Sequence, residues 1–305
     1  MQYWLNIFIV AGLLASDTLN GQDLSMHQGA NGEIQLLVNA KEGTTYRLEK
    51  SLNLMEWFSD SDPWVETKNF KIGLQGQAAG FYRLETWETT DDPIIIGLLG
   101  DSTVVDFSFW DGTFGGWGES LPDYVGPDVR IANMAQPGES TRTFLETSWR
   151  VKNLQLVSPD FVLIQYGMID EIASEPEKLT TFEAYEDNLE TLVQLVRDFD
   201  GTPILITPPA KRAYGLDGKV VDWLNERSAI VREVAERLHC PSVDLNGLTR
   251  DFFNEMGNAA TRDMTTDDRL HYKITGAQVL AGMVAANFPG ILTPYLDSNA
   301  VANRP

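Results

Sequence analysis

Ser102, Asp268 and His271 are the residues of this sequence whose types and spacing could carry out acyl transfer. Ser102 lies in Gly100-Asp101-Ser102-Thr103, directly after the apolar run Ile94-Ile95-Ile96-Gly97-Leu98-Leu99. A short run rich in β-branched residues reads as a buried parallel strand. Open α/β sheets place their active sites at the C-terminal ends of such strands. Ser102 is therefore expected at the sheet edge, with its backbone N–H free to face a substrate. Asp268 and His271 stand three residues apart in Asp267-Asp268-Arg269-Leu270-His271. That spacing puts both side chains on one side of a turn or first helical turn. The carboxylate can then hold one imidazole nitrogen, leaving the other to take a proton from a serine. The remaining histidines are less well placed. His27 is outside the α/β part, and His239 ends a helix, where a histidine satisfies the last carbonyls. Taken singly, Gly-Asp-Ser also fits an ordinary strand-to-loop turn and Asp-x-x-His a surface ion pair. Together, in the order Ser…Asp…His, they form a candidate triad.

A serine nucleophile needs donors for the oxyanion. The Ser102 N–H is one. The loop Asn133-Met134-Ala135-Gln136-Pro137-Gly138-Glu139-Ser140 offers a second, because Gly138 permits close backbone approach to a ligand.

From Ile94 onward strands and helices alternate. Val129–Asn133, Phe161–Tyr166, Pro203–Thr207 and Ser242–Leu245 read as further strands. Thr180-Thr181-Phe182-Glu183 has capping-box spacing and opens a helix with Phe182, Tyr185, Leu189, Leu192, Val196 and Phe199 on one face. Helices are also predicted over Val220–Leu238 and Ile274–Asn287. Such alternation gives a parallel sheet covered on both faces. Pro208–Tyr214 follows a strand end and is either a wall of the cleft or a solvated loop. Residues 288–305 show no pattern and are expected to form a loosely packed tail.

Residues 23–88 differ. Segments such as Glu33–Val38, Gly43–Glu49 and Gly80–Glu85 lack helical periodicity and are separated by frequent turn residues, which predicts a small all-β module. The pattern Tyr-x-Leu-x-x-Ser…Leu-x-x-Trp…Phe-Tyr-Arg-Leu resembles the small β-sandwich modules found beside secreted bacterial enzymes. Its aromatics Trp57, Trp64 and Tyr82 could form a sugar platform or simply the module's core. Residues 89–93 read as the end of an acidic, Thr-rich linker. Residues 1–16 hold an apolar run, Tyr3 to Ala15, broken only by Asn6. It is short for a membrane span and fits the core of a secretory signal, expected over residues 1–21. It lacks a preceding Lys or Arg and a clean small-x-small cleavage site, and an apolar strand or helix packed on the fold is the alternative. The expected location is secreted or periplasmic, with no integral membrane segment once the signal is removed.

The chain has 305 residues, 23 Lys and Arg against 44 Asp and Glu, and a formal net charge of −21. A chain so acidic repels phosphate backbones, so nucleic-acid binding is excluded as an expectation. Cys240 is the only cysteine, so no internal disulfide can form.

Several blocks together resemble the SGNH (GDSL) hydrolases. They are Gly100-Asp101-Ser102, Gly138 in the loop after the second strand, and Asp268-x-x-His271. Gly116-Trp117-Gly118-x-x-Leu121-Pro122, Asn133-x-Ala135…Gly138-x-Ser140-x-Arg142-x-Phe144 and Leu270-His271-x-x-x-x-Gly276-Ala277 look like the rhamnogalacturonan acetylesterase branch. The resemblance spans about residues 94–286, within a catalytic domain expected over 94–287. It implies a flavodoxin-like three-layer α/β/α domain, no metal or other cofactor, and removal of O-acetyl groups from a pectin-, rhamnogalacturonan- or xylan-like polysaccharide. Ser102 would be the nucleophile, His271 the base and Asp268 its orienting acid. Asp101, Trp110 and Trp117 are the substrate-contact candidates, with Phe109 and Phe114 as further aromatics of that loop.

One block departs from the pattern. Where the family has Gly-x-Asn-Asp, this chain has Gly167-Met168-Ile169-Asp170, and Ile169 cannot supply the oxyanion donor that the Asn side chain gives. Backbone donors could suffice, Gln165 or Asn133 could substitute, or the domain could be a weakened esterase that still binds glycan. A lipase- or thioesterase-type hydrolase is the other alternative, distinguished by a wide apolar acyl pocket.

Overall fold

The apolar runs form five parallel strands, in a computed structural model of the full chain. They are β1 (Ile94–Gly100), β2 (Val129–Asn133), β3 (Phe161–Gln165), β4 (Thr202–Ile206) and β5 (Ser242–Val243). Side chains and backbone are described for residues 93–107, 114–126, 128–172 and 174–297; in residues 1–92 only strand segments of backbone are. The chain divides into two compact units, Met1–Pro93 and Ile94–Pro305. Within the expected leader, Tyr3–Val10 and Leu13–Ala15 are strands, the first pairing antiparallel with Phe81–Glu88; linker residues 89–92 and the side chains of residues 1–92 lie outside the described residues.

The strand order is β2-β1-β3-β4-β5, all parallel. This is the doubly wound order of flavodoxin-like sheets, in which the chain switches direction between β1 and β3 and opens a crevice at the strands' C-terminal ends. Period-two alternation sends Ile96, Leu98, Leu163, Ile204 and Ile206 to one face, where they pack with α7 (Leu245–Ala260) and α8 (Ile274–Ala286). Leu99, Val162, Ile164 and Leu205 point to the other, against α5 (Phe182–Arg197) and α6 (Asn225–Arg237). Helices thus cover both faces, as burial of an all-parallel sheet requires.

Some expectations are corrected. Thr181, not Thr180, caps α5, accepting from the Ala184 N–H at 3.1 Å, while the Thr180 hydroxyl donates to Asp170. Phe182 stays 43% exposed, its ring covered on one face by the Arg227 guanidinium, 4.6 Å from the centroid. α6 begins at Asn225 rather than Val220. Residues 288–297 are not loose: Leu292 is fully buried and Leu296 bridges to Val125. Four helices were not expected, α1 (Trp117–Ser120), α2 (Thr141–Glu146), α3 (Ser148–Val157) and α7, together with the one-turn α4 (Met168–Glu171).

Candidate active site

The turn after β1 is shaped by its own aspartate. Asp101 Oδ1 accepts from the Thr103 N–H at 2.9 Å and the Thr103 hydroxyl at 2.8 Å, and the Asp101 carbonyl accepts from the Val104 N–H. This local turn chemistry ends β1 sharply and sets Ser102 at the strand's C-terminal edge, 5% exposed. A second loop locks the turn: the N–H groups of Trp117 and Gly118 donate to the carbonyls of Thr103 and Val104. The approach is so close that a Cβ on Gly116 would meet Val105 O and one on Gly118 would meet Val104 O.

His271 arrives from the far end of the chain. Its Nδ1 lies 2.7 Å from Asp268 Oδ2. Asp268 Oδ1 accepts from the Thr266 hydroxyl and from the N–H groups of Leu270 and His271, at 2.7, 2.8 and 3.0 Å. Desolvation pushes the Asp268 carboxyl up, but these bonds, led by that from His271, outweigh it and hold the group well below the usual carboxylate range. The same loop is tied to the serine side. Gly115 N–H donates to the Tyr272 carbonyl at 2.8 Å, and the Phe114 ring meets the His271 ring edge-on at 5.3 Å. The imidazole is near enough for its charge to act on the Asp101 carboxyl. Pro208–Tyr214 is neither solvated loop nor bare wall. The Ala210 carbonyl accepts from the Tyr272 hydroxyl and the Arg212 N–H donates to the Arg269 carbonyl, so the segment braces the His271 loop.

Gly138 has φ of +72°, a conformation glycine adopts without strain. Among the described residues no protein acceptor takes the N–H of Ser102 or of Gly138. Both are thus available to an oxyanion, at the ends of neighbouring strands. Ile169 sits half-buried on α4, following Gly167 at φ +127°. The two suggested substitutes are committed elsewhere. Gln165 is buried, accepting from Trp117 Nε1 and donating to the Thr103 hydroxyl, both at 2.7 Å. Asn133 Nδ2 donates to the Val104 carbonyl and its Oδ1 accepts from the Ala135 N–H.

Two substrate-contact candidates are corrected. Asp101 and Trp117 each have no exposed surface, so they shape the site from beneath and cannot touch a sugar. Burial raises the Asp101 carboxyl to about 6 despite the Thr103 bonds, and its Oδ2 has no partner. Trp110 and Phe109 lie outside the described residues, while Phe114 is half-exposed beside His271.

Sequence reasoning missed the support beneath Gly138. Glu139 and Arg150 form a buried ion pair at 3.0 Å, Tyr166 donates its hydroxyl to Glu139 at 2.8 Å, and Arg150 also donates to the Met134 carbonyl. Asp170 is a second support, accepting from the Thr141 N–H and hydroxyl and from the Thr180 hydroxyl. The Asp170 position was visible in the Gly-x-Asn-Asp block; the Glu139–Arg150–Tyr166 cluster has no local sequence signature.

The sequence profile of the GDSL-like Lipase/Acylhydrolase family matches residues 98–279. Two Bacillus subtilis proteins are similar over 67% of this chain. Rhamnogalacturonan acetylesterase RhgT is 24% identical, with 94% of its length covered, and the probable rhamnogalacturonan acetylesterase YesY is 28% identical, with 96% covered. Among solved structures, protein YxiM of Bacillus subtilis superposes with a TM-score of 0.65 at 19% identity, covering 87% of this chain and 81% of its own. A variant of Axe2, an acetyl-xylooligosaccharide esterase from Geobacillus, gives 0.51 at 19% identity, covering 66% and 96%. The fold, the ordered blocks and the profile match agree: the chain belongs to the GDSL-like lipase/acylhydrolase family.

Proposed function

We propose that this protein is a serine esterase that removes O-acetyl groups from a polysaccharide. The observation that carries the reading is the Asp268–His271 pair, tied at 2.7 Å on a loop laced to the Ser102 turn. In this mechanism His271 Nε2 takes the Ser102 proton as Oγ attacks the acetyl carbonyl. The N–H groups of Ser102 and Gly138 stabilise the oxyanion. The C–O bond to the sugar then breaks, and the His271 proton passes to the departing sugar oxygen. A water, deprotonated by the same imidazole, attacks the acetyl-enzyme and releases acetate and free Ser102. Asp268, kept ionised by its hydrogen bonds, stabilises each imidazolium that forms. The names of RhgT, YesY and Axe2 support an acetylated glycan as substrate. We also propose export through a leader at residues 1–21, a β module at 23–88 joined by a linker at 89–93, and a catalytic domain at 94–287.

The test is acetate release from acetylated pectin, acetylated xylan and an aryl acetate by wild type and Ser102→Ala. Turnover by wild type that vanishes in Ser102→Ala is the expected result. Activity that survives the substitution overturns the mechanism. Ile169 favours a second reading, a glycan binder with little turnover. Glycan binding without acetate release by wild type would establish that reading instead.

A further inference from the structure

Four buried polar side chains stand in single file beneath Ser102. Trp117 Nε1–H donates to Gln165 Oε1 and Gln165 Nε2–H to Thr103 Oγ1, both at 2.7 Å, and the Thr103 hydroxyl donates to Asp101 Oδ1 at 2.8 Å. Trp117, Gln165 and Asp101 have no exposed surface, and Thr103 has almost none. The file joins three separate segments: the first residue of α1, the last residue of β3 and the turn after β1. Burying so many polar groups is costly unless each is satisfied, and a satisfied buried network rigidifies what it joins.

The direction of the file is forced by its first member. An indole N–H only donates, so the Gln165 amide must turn its oxygen to Trp117 and its NH2 to Thr103. Thr103 Oγ1 then accepts from Gln165, and its one proton goes to Asp101 Oδ1. That oxygen also accepts from the Thr103 N–H at 2.9 Å, so it is an acceptor whether or not the carboxyl is ionised. A proton on Asp101 therefore sits on Oδ2. The consequence falls on Ser102, because Asp101 and Thr103 are its two chain neighbours. The Ser102 N–H belongs to the Asp101–Ser102 peptide, whose carbonyl is held by the Val104 N–H at 2.9 Å. The Thr103 carbonyl is held by the Trp117 N–H at 2.8 Å, and Gly100, just before the turn, pairs in register with Gln165. Every group around the Ser102 peptide is thus tied, directly or through the file, to a neighbouring element. Aim matters here, since a hydrogen bond weakens steeply as its angle closes.

We propose that Gln165 is a positioning residue: through the Thr103 hydroxyl it locks the Asp101–Thr103 turn and so aims the Ser102 N–H at the oxyanion. The proposal rests on the esterase reading and goes beyond it, by giving a role to a side chain with no exposed surface. With Ile169 where an Asn donor would stand, the aim of the backbone donors weighs the more.

The experiment compares full-length wild type, Gln165→Met, Thr103→Val, Thr103→Ser and the Gln165→Met/Thr103→Val double variant on an aryl acetate, with circular dichroism to establish folding. Gln165→Met and Thr103→Val are each expected to lower kcat by about tenfold or more with KM within about twofold of wild type. Thr103→Ser keeps the hydroxyl and should stay within about threefold of wild type in kcat. The double variant should be about as slow as the slower single one, because both changes break the same file. Should Gln165→Met not fold, the contrast between Thr103→Val and Thr103→Ser decides. Unchanged kcat, a loss confined to KM, or losses that multiply in the double variant would overturn the proposal. A second readout needs no turnover: the Ser102 amide resonance of the 15N-labelled protein. It should broaden or split in Thr103→Val and Gln165→Met and remain a single sharp line in wild type and Thr103→Ser. A sharp line in all four would overturn the proposal as well. Wild type that releases no acetate, while the Ser102 amide responds as expected, would sink the esterase reading and leave the lock on the turn standing.

Discussion

Asp268 is only half-buried, yet it accepts four hydrogen bonds, two of them from His271. Its role in the proposed mechanism is therefore to fix the imidazole tautomer and ring direction, and the amide of Asn cannot do both. Asp268→Asn is expected to lower kcat on an aryl acetate by about 10³–10⁴-fold with little change in KM, the scale of an equivalent change in a serine triad; a loss under tenfold would remove Asp268 from the machinery. Ile169 poses the converse case. With Gln165 and Asn133 already committed, the candidate oxyanion donors among the described residues are the backbone N–H groups of Ser102 and Gly138, and one oxyanion donor is worth roughly 10²–10³ in kcat. Ile169→Asn is expected to raise kcat at least tenfold, measured on the same aryl acetate. No gain would mean that position 169 does not face the oxyanion. These residues were legible because each belongs to a short block with local chemistry. Asp101 and Trp117 were misread for the same reason: a block shows that a residue matters, not whether it faces the cleft or lies beneath it.

The elements beneath the site explain why Gly138 can be rigid without regular structure around it. The loop after β2 is held by a buried network, Glu139, Arg150 of α3 and Tyr166 at the end of β3, and its other end by Asp170 on Thr141. Removing one partner of a buried ion pair strands the other's charge, at about 3–5 kcal/mol. Arg150→Met is therefore expected to lower the thermal midpoint by roughly 6–20 °C in a unit of this size. Tyr166→Phe, which keeps the ion pair, should cost only about 1–2 kcal/mol. If the network positions Gly138, Tyr166→Phe lowers kcat while leaving KM close to wild type; unchanged kcat would make the network structural only. The strands were readable as β-branched apolar runs, and α5 and α8 as periodic or continuous apolar segments. α3 was not, since it has almost no amphipathic stripe and leaves Leu156 exposed. α7 is interrupted at Gly257, which breaks the helical φ/ψ and with it the pattern that sequence reading relies on. The Glu139–Arg150–Tyr166 network joins residues 11 to 27 apart, a relation only the folded sheet creates.

At the scale of the molecule, charge and burial together set how the α/β unit responds to pH. Asp101 is fully buried with one oxygen unpartnered, and burial lifts it from 3.8 to about 6. A carboxyl raised on folding contributes stability that is fully present below its unfolded value and is lost as pH rises through the folded one. Between pH 4 and 7 this group alone therefore removes roughly 2 kcal/mol. Asp170 and Glu119, also raised by burial, act in the same direction. Asp268 has the opposite sign, but its depressed value confines its effect to pH below the ordinary carboxylate range, so it contributes a constant amount across this window. The net charge of −21 adds self-repulsion that also grows as pH rises. The unit should accordingly be more stable near pH 5 than near pH 7. Asp101→Asn separates the buried carboxyl from the global charge, since it deletes the first and barely alters the second. Amide exchange of the β1 strand, followed at pH 5 and pH 7, reads the opening free energy directly. The wild type is expected to lose protection between the two, and Asp101→Asn to lose substantially less. An identical loss in both proteins would assign the whole effect to surface charge and leave Asp101 ionised throughout.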